Sequence, residues 1–173
     1  MVENGVNVTF DKSEELLASI KDLSKNQVLV GIPASSPSRA GESINNASLG
    51  YIHEFGSPAQ NIPARPFLIP TINRLRDKAV AMLKQAAEYQ FDHKQGEAKN
   101  VLNALGLMAS QAVKNNIVAG GDPKFTPLAP ATIARRTGPM RMHGLEPDLS
   151  SVKPLIDTGQ MLNSITYVIR KKP

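Results

Sequence analysis

Residues 70–121 read PTINRLRDKAVAMLKQAAEYQFDHKQGEAKNVLNALGLMASQAVKNNIVAGG. Ile72, Leu75, Ala79, Met82, Leu83 and Ala86 recur at helical spacing, and Arg74, Arg76, Asp77, Lys78, Lys84, Gln85 and Glu88 fill the opposite face. Pro70 suits a first helical turn because its φ is already fixed near the helical value. The stretch His93 to Gly96 breaks the pattern. From Glu97 to about Ala119 it resumes, with Val101, Leu102, Leu105, Met108, Ala109, Ala112, Val113 and Ile117 inward, and Gly120-Gly121 ends it. Two amphipathic helices with a short break predict an αα-hairpin, whose apolar faces need a further layer to bury them.

That layer is predicted on either side. Val6, Val8 and Phe10 alternate with polar residues, as in a half-buried strand. Asp11 or Ser13 caps a helix carrying Leu16, Leu17, Ile20 and Leu23, with Glu14 and Glu15 in its first turn. Gln27 to Ile32, QVLVGI, is a second strand. Residues 33–46, PASSPSRAGESINN, have a loop's composition. Ala47 to Phe55 predicts a short helix with Leu49, Ile52 and Phe55 inward, stopped at Gly56. Pro58, Pro63 and Pro66 stiffen the loop after it. Near the C-terminus, Thr158 to Asn163 is a short helix and Ser164 to Lys171 a strand with Ile165, Tyr167 and Ile169 on one face. The expectation is a single α+β domain over residues 1–173: a small mixed or antiparallel sheet packed against a long αα-hairpin, with a loop at 33–46 and an extended arm at 121–153.

The arm is the least regular part. Only Ala129 to Arg136 has helical character. Five prolines interrupt residues 121–153, and Phe125, Leu128, Met140, Met142 and Leu145 are expected to be exposed. Such a segment predicts contact with a partner or a second subunit.

Length, composition and charge exclude several classes. At 173 residues and 41% hydrophobic, the chain is long and apolar enough for one core. It contains no Cys, which removes disulfides, thiol nucleophiles and iron–sulfur ligation. The N-terminus has no apolar stretch of the signal-peptide kind, and no run approaches the ~20 residues of a membrane span. The net charge of +5 is uneven: residues 1–46 sum to −2, 47–95 to +2 and 96–173 to +5. Arg135, Arg136 and Arg141 form a basic cluster with no acid between Pro123 and Glu146. Without interleaved aromatics or a base-reading helix pair, the cluster predicts docking to an acidic protein, with at most non-specific contact with DNA.

Three motifs invite chemistry. Leu155-Ile156-Asp157-Thr158-Gly159 copies the nucleophile signature of aspartic proteases, in which two aspartates share a proton. Only fourteen residues follow Gly159, and no second copy is present. Asp157 or Thr158 is better read as a structural helix cap, Asp157 and Gln160 having capping-box spacing. His53-Glu54 begins a zinc-protease HExxH, but Ser57 stands where the second His is needed, and His93 and His143 lie in other segments. Gly120-Gly121 lacks the Lys-Ser/Thr of a phosphate loop. No catalytic set, metal or cofactor is expected.

Five stretches occur in a particular order: Val30-Gly31-Ile32-Pro33; Asn46-Ala47-Ser48-Leu49-Gly50-Tyr51-Ile52-His53-Glu54-Phe55-Gly56; Ile62-Pro63-Ala64-Arg65-Pro66-Phe67-Leu68; Pro127-Leu128-Ala129-Pro130-Ala131-Thr132-Ile133-Ala134-Arg135-Arg136; and Pro154 to Tyr167, PLIDTGQMLNSITY. In order and rough spacing, nearly the whole chain resembles the neck and tail-completion ("virion morphogenesis") proteins of tailed bacteriophages. Many relatives have Trp before the Pro-Leu pair, where this chain has Phe125-Thr126. The resemblance implies a non-enzymatic α+β structural protein, assembled in the host cytoplasm and incorporated into the virion. It implies a homo-oligomeric ring, hexameric at a tail end or twelve-fold near the portal, that joins head and tail components around the DNA channel. Expected partners are itself and other neck, portal-proximal or tail proteins, with no membrane. The expected interface residues are Phe125, Leu128, Arg135, Arg136, Met140, Arg141, Met142 and Leu145. A tail-terminator ring that stops tube growth is the second reading. A protease resting on Asp157 and a basic DNA-binding module are alternatives of other classes.

Overall fold

The computed structural model describes residues 14–15, 17–18, 21, 25–35, 44–143 and 152–172. The expected strand at Val6 to Phe10, the helix positions Leu16, Ile20 and Leu23, most of the 33–46 loop and Leu145 lie outside the described residues. Strand β1 is Asn26–Gly31. Helices α1 (Asn46–Phe55), α2 (Ile69–Arg74), α3 (Arg76–Phe91), α4 (Gln95–Ala119), α5 (Pro130–Met142) and α6 (Gln160–Ser164) follow, and strand β2 (Thr166–Lys171) closes the chain. The fold is α+β. β1 and β2 pair antiparallel, from Asn26 opposite Lys171 to Gly31 opposite Thr166.

α4, 25 residues long, is the spine. α3 packs along one side of it and both strands along another. Of the positions expected inward, Leu102, Leu105, Ala109, Val113 and Ile117 are buried and Val101, Met108 and Ala112 half-buried, and Ala98 is buried as well. Ala86 of α3 is fully enclosed, whereas Leu83 is exposed. The hairpin turn is Asp92–Lys94, shorter than expected, because Gly96 tolerates a helical conformation and α4 begins at Gln95.

The first long helix is two helices. Leu75, with ψ near zero, interrupts it, and its N–H is shared between the carbonyls of Thr71 and Ile72. The two parts have different anchors. α3 lies along α4, while α2 is tied to the far end of α4 through Arg74, which donates to Asn116 Oδ1 (3.3 Å).

On β2, Tyr167 and Ile169 point inward and Val168 outward, as the alternation predicts. Tyr167 packs against α4 where Gly106 removes the side chain: a Cβ there would fall 2.1 Å from Tyr167 Cδ2. The main cluster joins Phe67, Val113, Ile117, Phe125, Leu155, Met161 and Ile165.

Phe125 corrects the expectation of an exposed arm. Gly120 and Gly121 both take φ of +89°, reversing the chain after α4, and Phe125 N–H donates to the Gly120 carbonyl (3.0 Å). The ring then covers Gly121, where a Cβ would lie 2.4 Å from Phe125 Cδ1. α5 also runs six residues beyond Arg136, the expected end of its helical character, to Met142. It passes Gly138-Pro139, where the missing Cβ of Gly138 relieves the clash a proline imposes on its predecessor. With Phe125 and Thr137 both buried, residues 121–137 are folded onto the scaffold.

Gly106→Ala should destabilise the protein by about 1–3 kcal/mol, because the gain in helix propensity is smaller than the cost of moving Tyr167. Gly96→Ala, with open space around its Cβ, should be neutral or stabilising by up to about 1 kcal/mol. Urea unfolding midpoints of the two variants check the contrast.

Candidate docking cleft

The side chain that organises the site is Glu54, which is buried. Its Oε2 accepts from the N–H groups of Phe67 (2.8 Å) and Leu68 (2.9 Å), and its Oε1 from Ile69 (2.8 Å). These donors stand at the start of α2, where no preceding turn supplies acceptors and the helix dipole favours a negative charge. Glu54 is thus a helix cap contributed from thirteen residues upstream. Around it, Asn45 caps α1 by accepting from Ser48 N–H (2.8 Å), and Arg65 N–H donates to the His53 carbonyl (2.7 Å). The loop after α1 closes tightly at Gly56, whose φ of +78° and 2.9 Å spacing from its Cβ position to the Ala64 nitrogen leave no room for a side chain.

This closure delivers Arg65 into the protein, where it is 6% exposed. Its Nε donates to the Thr126 carbonyl (2.7 Å) and its Nη2 to the Pro127 carbonyl (2.9 Å). Arg136 does the same for another chain reversal: Nη1 donates to the carbonyls of Lys153 (3.0 Å) and Ile156 (2.8 Å). Burial, and then the nearby charge of Arg136, lower the pKa of the Arg65 guanidinium. Asp157 Oδ1 lies 3.5 Å from Arg136 Nε and is half exposed.

Together these elements wall a cleft of about 360 Å³. Leu49 and His53 come from α1, and Asn61 to Pro63 and Arg65 from the loop. Leu128, Ala129, Thr132, Arg135 and Arg136 come from the approach to α5 and the helix itself, and Leu155, Asp157 and Gly159 from the approach to α6 and Met161 from that helix. Polar and apolar surface are nearly balanced. Chemically, the cleft offers guanidinium donors beside aliphatic wall.

The expected interface residues divide. Leu128, Arg135 and Arg136 line the cleft, with Arg135 exposed and Arg136 largely enclosed. Arg136 is therefore a structural clamp rather than the free surface charge expected of it. Phe125 belongs to the core, and Met142 is 87% exposed. For Met140 and Arg141 only the backbone is described, and Leu145 lies outside the described residues. The cap assignment is also corrected. Gly159, with φ of +76°, occupies the position before α6. That left-handed turn moves the helix start to Gln160 and leaves Asp157 to pair with Arg136. Thr158 keeps a long contact, accepting from Gln160 N–H at 3.4 Å. Sequence reading missed Arg65. Its signal was an arginine in the proline-stiffened Pro63–Pro66 turn, with no acid nearby to pair with it.

Glu54 spends its carboxylate on backbone, and the described residues contain no cluster of three or more His, Asp or Glu arranged to hold a metal. No helix among them is long and apolar enough to cross a membrane. No protein-family model, curated protein or solved structure matches the chain.

Glu54→Gln should cost about 2–3 kcal/mol, since the amide loses the charge and turns an N–H₂ toward donors. The loss should appear as a lower urea midpoint with unchanged slope. Asp157→Asn should change stability by no more than about 1 kcal/mol, as expected of a half-exposed pair.

Proposed function

We propose that this chain is a non-enzymatic structural protein of a phage neck or tail end, which forms a ring joining head and tail components around the DNA channel. The observation that carries the reading is spatial. His53, the 61–65 loop, Leu128 to Arg136 and Leu155 to Gly159 come from four of the five stretches on which the resemblance rests, and they share one cleft. Their spacing in sequence serves a single surface feature.

Three further features support an assembling protein. Tyr51 and Phe55, 67% and 55% exposed although Phe55 was expected inward, lie with tilted rings 4.8 Å apart beside a second, apolar groove of about 280 Å³ lined by Gly31, Ile32, Gly50 and Ile69. Exposed paired aromatics are the residue types that anchor protein interfaces. Among the described residues the sheet has only two strands, so each has an outer edge with no strand partner. The LIDTG aspartate faces a guanidinium, and its role is packing and charge.

Native mass measurement of the purified chain, alone and mixed with purified portal or tail tube, tests the proposal. A discrete ring, alone or on the partner, is expected. A monomer in both conditions overturns it. Tyr51→Ser with Phe55→Ser should leave folding intact and abolish the higher-mass species.

A further inference from the structure

We infer that the cleft between α1, α5 and the 155–159 turn is a carboxylate-binding site for an acidic and apolar segment of a partner polypeptide. The inference rests on the assembly reading above and names the chemistry of one contact within it. Three guanidiniums, Arg65, Arg135 and Arg136, line the cleft with the single carboxylate of Asp157. Among the described residues, Arg136 Nε is enclosed with no hydrogen-bond partner and lies 3.5 Å from Asp157 Oδ1, while Arg65 Nε and Nη2 and Arg136 Nη1 hold carbonyls. Both arginines are fixed by those bonds, so the unpartnered Arg136 Nε–H is preorganised. Arginine's rigid fork matches a carboxylate, and such charge-assisted bonds strengthen in an enclosed site. Burial first, and then the like charge of Arg136, lower the Arg65 pKa, and an arriving anion relieves the like-charge part.

The occupant is a protein side chain rather than a nucleic-acid phosphate for two reasons. Arg65 is recessed, and a cleft of about 360 Å³ admits a few side chains, whereas a duplex backbone is broad and convex. Leu49, Ile62, Leu128 and Met161 supply apolar wall beside the charge, which suits a Glu or Asp flanked by aliphatic residues.

The probe is an acetylated, amidated Leu-Glu-Leu tripeptide, followed by NMR of the Arg65 and Arg136 Nε–H resonances. Saturable shifts are expected, absent with the Leu-Gln-Leu counterpart. Asp157→Asn removes a competing carboxylate and should tighten binding about four-fold, and Arg135→Ser should weaken it about as much. Both side chains are exposed, so the fold should persist. Equal shifts with the glutamine tripeptide, or unchanged affinity in Asp157→Asn, overturn the inference. So does a short DNA duplex that gives the saturable shifts at matched ionic strength. Ring formation is read by mass, so an intact ring without these shifts rejects this contact alone.

Discussion

A carboxylate buried at a helix start is costly unless every lone pair is used, and Glu54 uses its pair of oxygens on three successive backbone N–H groups. Much of the structure follows from that. Fixing Phe67 to Ile69 against α1 places Phe67 in the main cluster and sets the direction in which α2 leaves. The Phe67 carbonyl then accepts from Thr71 Oγ1 (2.8 Å) and Asn116 Nδ2 (3.2 Å), so the capped turn is bonded on its other side to α4. Asn116 also accepts from Arg74, which reaches on to Asp122 at the chain reversal. One acid therefore begins a polar chain that runs from α1 through α2 to the far end of the spine helix. At the other end of α1, Asn46 donates to Ser164 Oγ (2.8 Å), which ties the helix to α6 just before β2.

The parts legible in the sequence are those governed by periodicity. The hairpin, the buried face of α4 and the alternation of β2 follow from spacing alone, because burial on one face is a local pattern. What was not legible depended on where distant segments meet. Phe125 looked like a stranded aromatic in a proline-rich arm, yet two consecutive left-handed glycines fold it back under the end of α4. Asp157 has capping-box spacing, yet a third left-handed glycine, Gly159, moves the helix start past it. In both cases a glycine's freedom at positive φ overrode the composition of its neighbours. The cleft was half legible: Leu128, Arg135 and Arg136 could be named from the basic, apolar segment that contains them. Arg65 could not, because its relevance comes from tertiary closure.

The glycines that matter by size rather than torsion act in the same direction. Gly50 leaves space for Ile32, whose Cδ1 would sit 2.7 Å from an added Cβ, and Gly106 leaves space for Tyr167. Each lets a helix approach the sheet region more closely than a side chain would permit. With two strands among the described residues, the sheet is too small to be stable by itself, and close contact with α4 and α1 supports it.

The charge of the cleft has a structural origin. Two chain reversals, the one that follows α4 and runs on to 126–127 and the one at 153–156, leave carbonyl groups with no helix or strand partner, and buried carbonyls require donors. Arginine meets the need best, since one planar group reaches two carbonyls at once and is less strongly hydrated than lysine. Using one arginine for each reversal necessarily places two positive charges near each other. Asp157 offsets only part of that charge, because it is half exposed and its contact with Arg136 is 3.5 Å. A full internal counter-ion would stabilise the isolated chain but would fill the site. The incomplete one keeps the reversals clamped and leaves a net positive, rigid cleft, so the bonds that close the fold also set the kind of surface it presents.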